Sequence, residues 1–525
     1  MDNTVLDQPV IAPVTQKGHP KGLYVLFATE MWERFNYYGM RAVLVLFMIK
    51  ALQYDKVYAF NLYGSYTGLV YLTPLVGGYI ADRYWGNKRS IITGGLVMAI
   101  GELLLFICGS VYHTSQSISS LFFFSGLGLV IAGNGFFKPN ISSLVGQLYP
   151  KGDRRKDAAY TIFYMGINVG GAVGPFVCGL VGDTGNPADF KWAFLAAGIG
   201  MLISVVVQKI FHTKYVVDPE GKPLGATPAT SHTLLNEEEK KNTGSSKMWL
   251  NPFFIITGLI LFSGLSIGIL YVDAKLFSLL LTLMLASTVF IIALIFSDKT
   301  LNKIEKQRVW VIIIVSFFVI FFWSAYEQAG ASLTYFAEYQ TQRELGFFTV
   351  PASWFQSVNS VFIILFAPAM AWMWLKMGKK EPSSPTKMAL GLFLLALGYL
   401  WIAFGVKNVG PGIKVSMIWL IGMYALHTVG ELALSPIGLS LVNKLSPFKF
   451  ASLLMAVWFL SNAFANKFAG MLSALYPDKK TTSFLGYQMH NLYDFFMLFF
   501  MMAGTSALIL FVLTKKLQKM MHENN

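Results

Sequence analysis

About fourteen apolar runs, each of roughly the ~20 residues needed to cross a bilayer, follow one another along this chain of 525 residues. No other feature restricts the fold so tightly. A lipid-exposed backbone must satisfy its own hydrogen bonds, so serial runs of this length dictate membrane-spanning helices. The runs fall near 23–50, 57–81, 89–112, 120–148, 157–183 and 190–211, then 250–272 and 275–298, then 307–337, 352–377, 386–406, 413–443, 450–475 and 489–514. The polar stretch 212–249 contains Pro219, Pro223, Pro228 and the run Glu237 to Lys241, and reads as a flexible cytoplasmic linker. The expected organisation is a cytoplasmic tail (1–22), a six-helix bundle (23–211), the linker (212–249), an inserted helix pair (250–298), a second six-helix bundle (299–514) and a cytoplasmic tail (515–525).

The net charge of +14 suggests nucleic acid at first sight. Here, however, the basic residues sit in short loops and tails, which is the pattern that orients a membrane protein, and no nucleic-acid partner is expected. Arg83, Lys88 and Arg89, Lys151 to Lys156, Lys376 to Lys380, Lys444 and Lys449, and Lys515 to Lys519 mark one side. That side is read as cytoplasmic, with both termini on it, in a multi-pass protein of the bacterial inner membrane surrounded by lipid. Cys108 and Cys178 lie inside apolar runs and suggest no disulfide framework. The first residues lack a signal-peptide pattern, so no cleaved leader is expected.

The first run carries charges at membrane depth: Glu30, Glu33, Arg34 and Arg41. Glu30, Arg34, Tyr37, Tyr38 and Arg41 share one helical face, with Glu33 beside it. Such residues face a water-filled cavity or each other. A structural ion pair is the plainer account, but four charges and two tyrosines on one stripe favour a transport pathway. One arginine does not neutralise two carboxylates, so one acid is poised to take a proton.

An internal repeat supports two related halves. Pro139, Ser143, Leu144, Val145, Leu148 and Pro150 recur 297 residues later as Pro436, Ser440, Leu441, Val442, Leu445 and Pro447. Repeats of this kind place substrate near the midplane, between the halves. The inserted pair shows no buried charge in this reading and is expected to be a lipid-facing scaffold.

Four stretches carry motifs. Gly77 to Arg89, GGYIADRYWGNKR, resembles the signature loop of the major facilitator superfamily, with Asp82 expected to cap the next helix or pair with a basic neighbour. Glu30 to Gly39, EMWERFNYYG, resembles the ExxER(F/Y)xYYG motif of the proton-dependent oligopeptide transporter family. Phe163 to Gly170 and Gly430 to Ser440 are similar to two further motifs of that family. The resemblance covers about residues 22–517 apart from the linker. It implies an all-α integral membrane protein of the major facilitator fold: two six-helix bundles alternating access around a cavity, plus two inserted helices, fourteen in all.

Residue roles come from that resemblance. Lys138 matches the family's cavity lysine and Glu431 the acid facing it. Glu431 falls level with Asn134, one turn from Lys138, which puts the two within range to meet across the cavity. Arg34 and Lys138 would hold a peptide carboxylate; Glu431, Asn168 and Asn359 would hold its amine. Tyr38, Tyr71, Trp323 and Trp458 match aromatic positions of the side-chain pockets, and Arg41 is grouped with the binding and coupling residues. Glu327 matches a proton-linked glutamate and lies as deep in the seventh core span as Arg41 in the first, so the two are expected to form a gate. Proton coupling is assigned to Glu30, Glu33, Arg34, Arg41 and Glu327. Some members carry a histidine seven residues before Tyr71-Leu-Thr-Pro; this chain has Gly64 there, and His427 reads as packing.

The expected activity is proton-coupled symport of di- and tripeptides, with no cofactor, no metal and no catalytic residues. A relative carrying an amino acid, nitrate or a peptide-like compound is the first rival. A membrane-embedded enzyme is disfavoured, since no HExxH, Gly-x-Ser-x-Gly or clustered metal ligands occur, and a channel would not accumulate substrate.

Overall fold

A computed structural model describes residues 18–150, 152–226, 252–276, 278–410, 412–478 and 480–522. The first half contains α1 (Lys21–Lys50), α2 (Lys56–Ile80), α3 (Asn87–Val111), α4 (Gln116–Gln147), α5 (Arg155–Gly182) and α6 (Phe190–Tyr215). The inserted pair is α7 (Pro252–Leu276) and α8 (Leu279–Ser297). The second half contains α9 (Lys303–Tyr326), α10 (Ser332–Gln340), α11 (Phe355–Met377), α12 (Ser384–Val406), α13 (Met417–Leu445), α14 (Ala451–Ser473) and α15 (Leu492–Met521). A single turn, Glu327–Gly330, separates α9 from α10, which together make one span. Fourteen spans are thus present among the described residues.

Eleven spans are apolar enough to be recognised as membrane-crossing by hydropathy alone; α1, α2 and α14 are not. The reason is what they carry. α1 holds Glu30, Glu33, Arg34 and Arg41; α2 holds Asn61, Tyr63, Ser65, Tyr66 and Thr67; α14 holds Ser461, Asn462, Asn466 and Lys467, all buried. These three helices bury much of the molecule's polar side-chain content.

Helix ends follow local chemistry. Asp55 accepts the backbone N–H groups of Val57 and Tyr58 to start α2, and Asn302 with Glu305 forms a reciprocal cap on α9. Asp82, by contrast, is exposed, and α3 starts after Gly86 without a side-chain cap. Gly86, at φ +74°, packs against the backbone of Gly225 and Ala226, and Lys88 N–H donates to Gly225 C=O. The segment after α6 therefore docks on the signature loop. His212 helps to hold it, bonding to Gln208 and to the Leu224 carbonyl. This corrects the linker expected from residue 212: α6 runs to Tyr215 and residues 216–226 form a pinned turn, while 227–251 lie outside the described residues. Similarly, α15 continues to Met521, past the boundary expected at 515.

The halves repeat each other in packing. α1 packs on α5 and α6, and α3 on α4 and α6; correspondingly α9 packs on α14 and α15, and α12 on α13 and α15. Pro139 and Pro436 sit inside α4 and α13, where each removes a helical hydrogen bond. Between the halves, α2 meets α14 and α5 meets α11. These two seams exchange when the halves are exchanged.

Both seams close at the ends away from the chain termini, here called the far face. Gly64 lies against Gly470 so closely that a Cβ on Gly64 would come within 2.8 Å of Gly470 Cα. Across the other seam, Ser357 donates to Ala172 C=O at 2.7 Å and the Trp354 indole to Phe176 C=O at 2.9 Å. Lys50 pairs with Glu338, and Asp183 accepts from the Ser353 hydroxyl and backbone. The hydrogen bonds and ion pairs described between the halves all lie in this far portion. Among the described residues, none of the described hydrogen bonds or ion pairs joins the halves towards the face from which α1 starts.

Candidate functional site

The cleft has three charged groups of distinct character. The first lies on α1. Arg34 Nε is 2.7 Å from Glu30 Oε1 and 3.0 Å from Glu33 Oε2. Asn134 on α4 donates to Glu33 at 3.1 Å. All four side chains are buried. One turn further along α4, half-buried Lys138 places its ammonium 4.1 Å from the centre of the Tyr71 ring. Lys138 has no ion-pair or hydrogen-bond partner among the described residues, although Glu30, Glu33 and Arg34 are within electrostatic reach. With both acids ionised this group sums to zero charge.

The second group joins the halves. Arg41 Nη1 is 2.8 Å from Glu327 Oε2, both buried. The guanidinium also lies over the rings of Tyr37 and Tyr38, 5.7 and 5.1 Å from their centres. Glu327 stands at the break between α9 and α10, so its carboxylate leaves the helix end towards α1. Gln328 fixes that break by donating to Ala469 C=O on α14 and accepting from Ser473.

The third group is an acid without a cationic partner among the described residues. Glu431 on α13 accepts hydrogen bonds from the Tyr326 hydroxyl and, at 3.1 Å, from Asn359 Nδ2, which also reaches Thr428. Tyr38 lies between the groups, within reach of Arg34 and Arg41 on its own helix and of Glu327 and Glu431 opposite.

The structure brings together Glu30, Glu33 and Arg34; Arg41 and Glu327; Lys138 and Tyr71; and Asn359 and Glu431. It does not bring Lys138 to Glu431. Among the described residues, Lys138 rests over Tyr71 in its own half, and Glu431 is bonded to Tyr326 and Asn359 in the other. Asn168 turns its amide back to Tyr164 C=O on its own helix, 2.9 Å away. Trp323 is half-buried against Phe322 and Tyr326. Trp458 is buried against Gly438, where any Cβ would strike its ring. His427 is buried against Tyr399, their rings 4.8 Å apart.

Several polar residues escaped sequence reasoning. Asn134 had a signal, since it precedes Lys138 by one turn on the same face. Tyr326 had none, being one tyrosine among 24. Glu102 on α3 is fully buried and bonded to Asn36 at 3.1 Å, with no ion pair among the described residues.

A family model described as the POT family matches residues 88–492. The chain belongs to the POT family. Its similarity to individual members of the POT family extends over nearly the whole length. An uncharacterized transporter of Bacillus subtilis is 34% identical, covering 91% of this chain and 93% of that protein. A peptide transporter of Yersinia enterocolitica is 33% identical over 87% of this chain and 88% of its own. A di-/tripeptide transporter of Lactococcus lactis is 33% identical over 85% and 87%. Among solved structures, a peptide transporter POT in complex with sulfate superposes with a TM-score of 0.77 at 31% identity, covering 97% of this chain and 98% of that one. A POT family transporter in complex with 5-aminolevulinic acid gives 0.76 at 32%, covering 95% and 97%. The fold expected from the opening motifs, two six-helix halves with an inserted pair, is the fold of these POT structures, and the chain is a transporter rather than an enzyme.

Proposed function

We propose that this protein imports di- and tripeptides into the bacterial cell by proton-coupled symport, with both termini in the cytoplasm. The observation that carries this reading is the charge arithmetic of the cleft. Glu30, Glu33, Arg34 and Lys138 sum to zero when ionised; one added proton leaves +1, matched to a peptide carboxylate. Glu431, without a cation among the described residues, matches the peptide amine, with Asn359 bonded to it, and Asn168 would join them by releasing Tyr164. Proton and peptide thus favour each other's binding, which is what coupling requires. Recognition of both ends leaves Tyr38, Tyr71, Trp323 and Trp458 to accommodate varied side chains. The names of the relatives from Yersinia and Lactococcus support the same substrate class.

Arg41 and Glu327 serve as the gate at the far face: protonated Glu327 releases Arg41, and the halves part. The test is uptake of labelled dipeptide into liposomes under an imposed proton gradient. Accumulation above equilibrium that collapses with the gradient is expected; equilibration alone would overturn the reading. A second reading follows from the relative bound to 5-aminolevulinic acid, another molecule with an amine and a carboxylate. Stronger competition by that compound than by dialanine would favour it.

A further inference from the structure

The inserted pair is not an uncharged scaffold. α7 packs on α2 and α4, and α8 on α14, so the pair touches both halves. Near the far end of α7, Asp273 is fully buried, and its Oδ2 lies 2.7 Å from Nζ of Lys467 on α14, itself fully buried. The Ser65 hydroxyl of α2 donates to the same Oδ2 and accepts from Lys467 at 2.7 Å. Asp273 Oδ1 accepts the backbone N–H of Leu280 on α8 at 2.8 Å. One carboxylate therefore ties α2, α14 and both inserted helices. The cluster adjoins the contact of Gly64 with Gly470 and with the Lys467 carbonyl, inside the seam that must part when the far face opens.

We propose that Asp273 is a positioning residue for alternating access, holding Lys467 in the α2–α14 seam so that the inserted pair supplies the anionic half of a lock broken at each far-face opening. The inference rests on the transporter reading. Its physical basis is the asymmetry of buried pairs. A matched pair is tolerated, but removal of one partner leaves the other charge unpaired and dehydrated. Asp273→Asn would strand Lys467, which regains water only when the seam parts; Lys467→Met would strand Asp273 likewise. Either change shifts the population towards the far-open state, whereas removing both charges leaves nothing stranded.

Spin labels on cysteines replacing exposed Val57 and Lys480 report the seam through their distance distribution. The open-to-closed ratio is expected to rise tenfold or more in Asp273→Asn and in Lys467→Met, and by less in the double variant than in either single one. Ratios in both single variants indistinguishable from wild type would overturn the lock, because a merely structural pair lowers stability without moving the distances. If the single variants fail to fold, Ser65→Cys supplies the test. A water-soluble thiol reagent should label it from the far side during turnover, and not when the Val57 and Lys480 cysteines are cross-linked. Absence of turnover-dependent labelling would equally overturn the lock. Wild-type uptake in the same liposomes separates this outcome from failure of the transport reading.

Discussion

Among the described residues Arg34 pairs with two carboxylates and Arg41 with one, and the proposed coupling and gating roles follow that difference. Glu30→Gln or Glu33→Gln removes the surplus acid of the first group. Exchange of peptide for peptide should persist, while gradient-driven accumulation is lost; a variant pair that still concentrates peptide would place coupling elsewhere. Glu327→Gln mimics the protonated gate and should likewise retain counterflow without accumulation. Lys138→Ala and Glu431→Ala each leave one end of a zwitterion unpaired in a sheltered site, a loss of ~3 kcal/mol or more. The expected weakening of dipeptide affinity, read by calorimetry, is at least about 100-fold at that energy. Tyr326→Phe removes one hydrogen bond from Glu431, about 1 kcal/mol, and should weaken binding only a few-fold. At this scale the sequence was informative wherever a charge interrupted an apolar run, because such charges are rare and costly. It was silent on Tyr326, whose polarity is ordinary and whose partner Glu431 lies on another helix.

Among elements, the α2–α14 seam depends on Gly64. Its hydrogen side faces Gly470 Cα and the Lys467 carbonyl, so neither Ala nor His fits without moving backbone. The absence of a histidine there is thus a packing requirement of this seam as well as a loss of an imidazole. Gly64→Ala should lower the thermal midpoint in detergent, with an overpacking cost of about 1–3 kcal/mol, and increase the far-open population. An unchanged midpoint and distance distribution would show that the seam yields freely. The inserted pair was misread for a specific reason: Asp273 precedes Lys275 by two residues near a helix end, where acids and bases ordinarily mark the interface. Its partner Lys467 is 194 residues away, a relation no local pattern encodes. At the other end of the pair, Asp298 bonds Lys449 and Thr300, which hold its carboxyl below the ordinary carboxylate range. A depressed acid contributes its tether above its unfolded value and loses it only as pH falls through the lowered one. Mild acidification therefore leaves this contact intact.

For the whole molecule, the sequence was most legible. Apolar runs set the fourteen spans, and the 297-residue offset anticipated halves that repeat in packing. The break at Glu327–Gly330 was not anticipated, because residues on both sides of it are helical by composition and tertiary bonds from Gln328 hold the turn. Orientation is tested at the turn after α6: a cysteine replacing exposed Lys222 should react with an impermeant reagent only after the cell membrane is opened. Reaction in intact cells would invert the topology.

Placing both seams at one end has a mechanical consequence. The far face is a fulcrum and the helices are levers. A helix of 20 residues beyond it is ~30 Å long, and a rotation of about 15°, typical of packed subunits changing partners, swings its tip by roughly 8 Å. An extended chain advances ~3.3–3.6 Å per residue, so the stroke is about the length of two residues. On the proposed reading, one swing opens a gap about as long as an extended dipeptide.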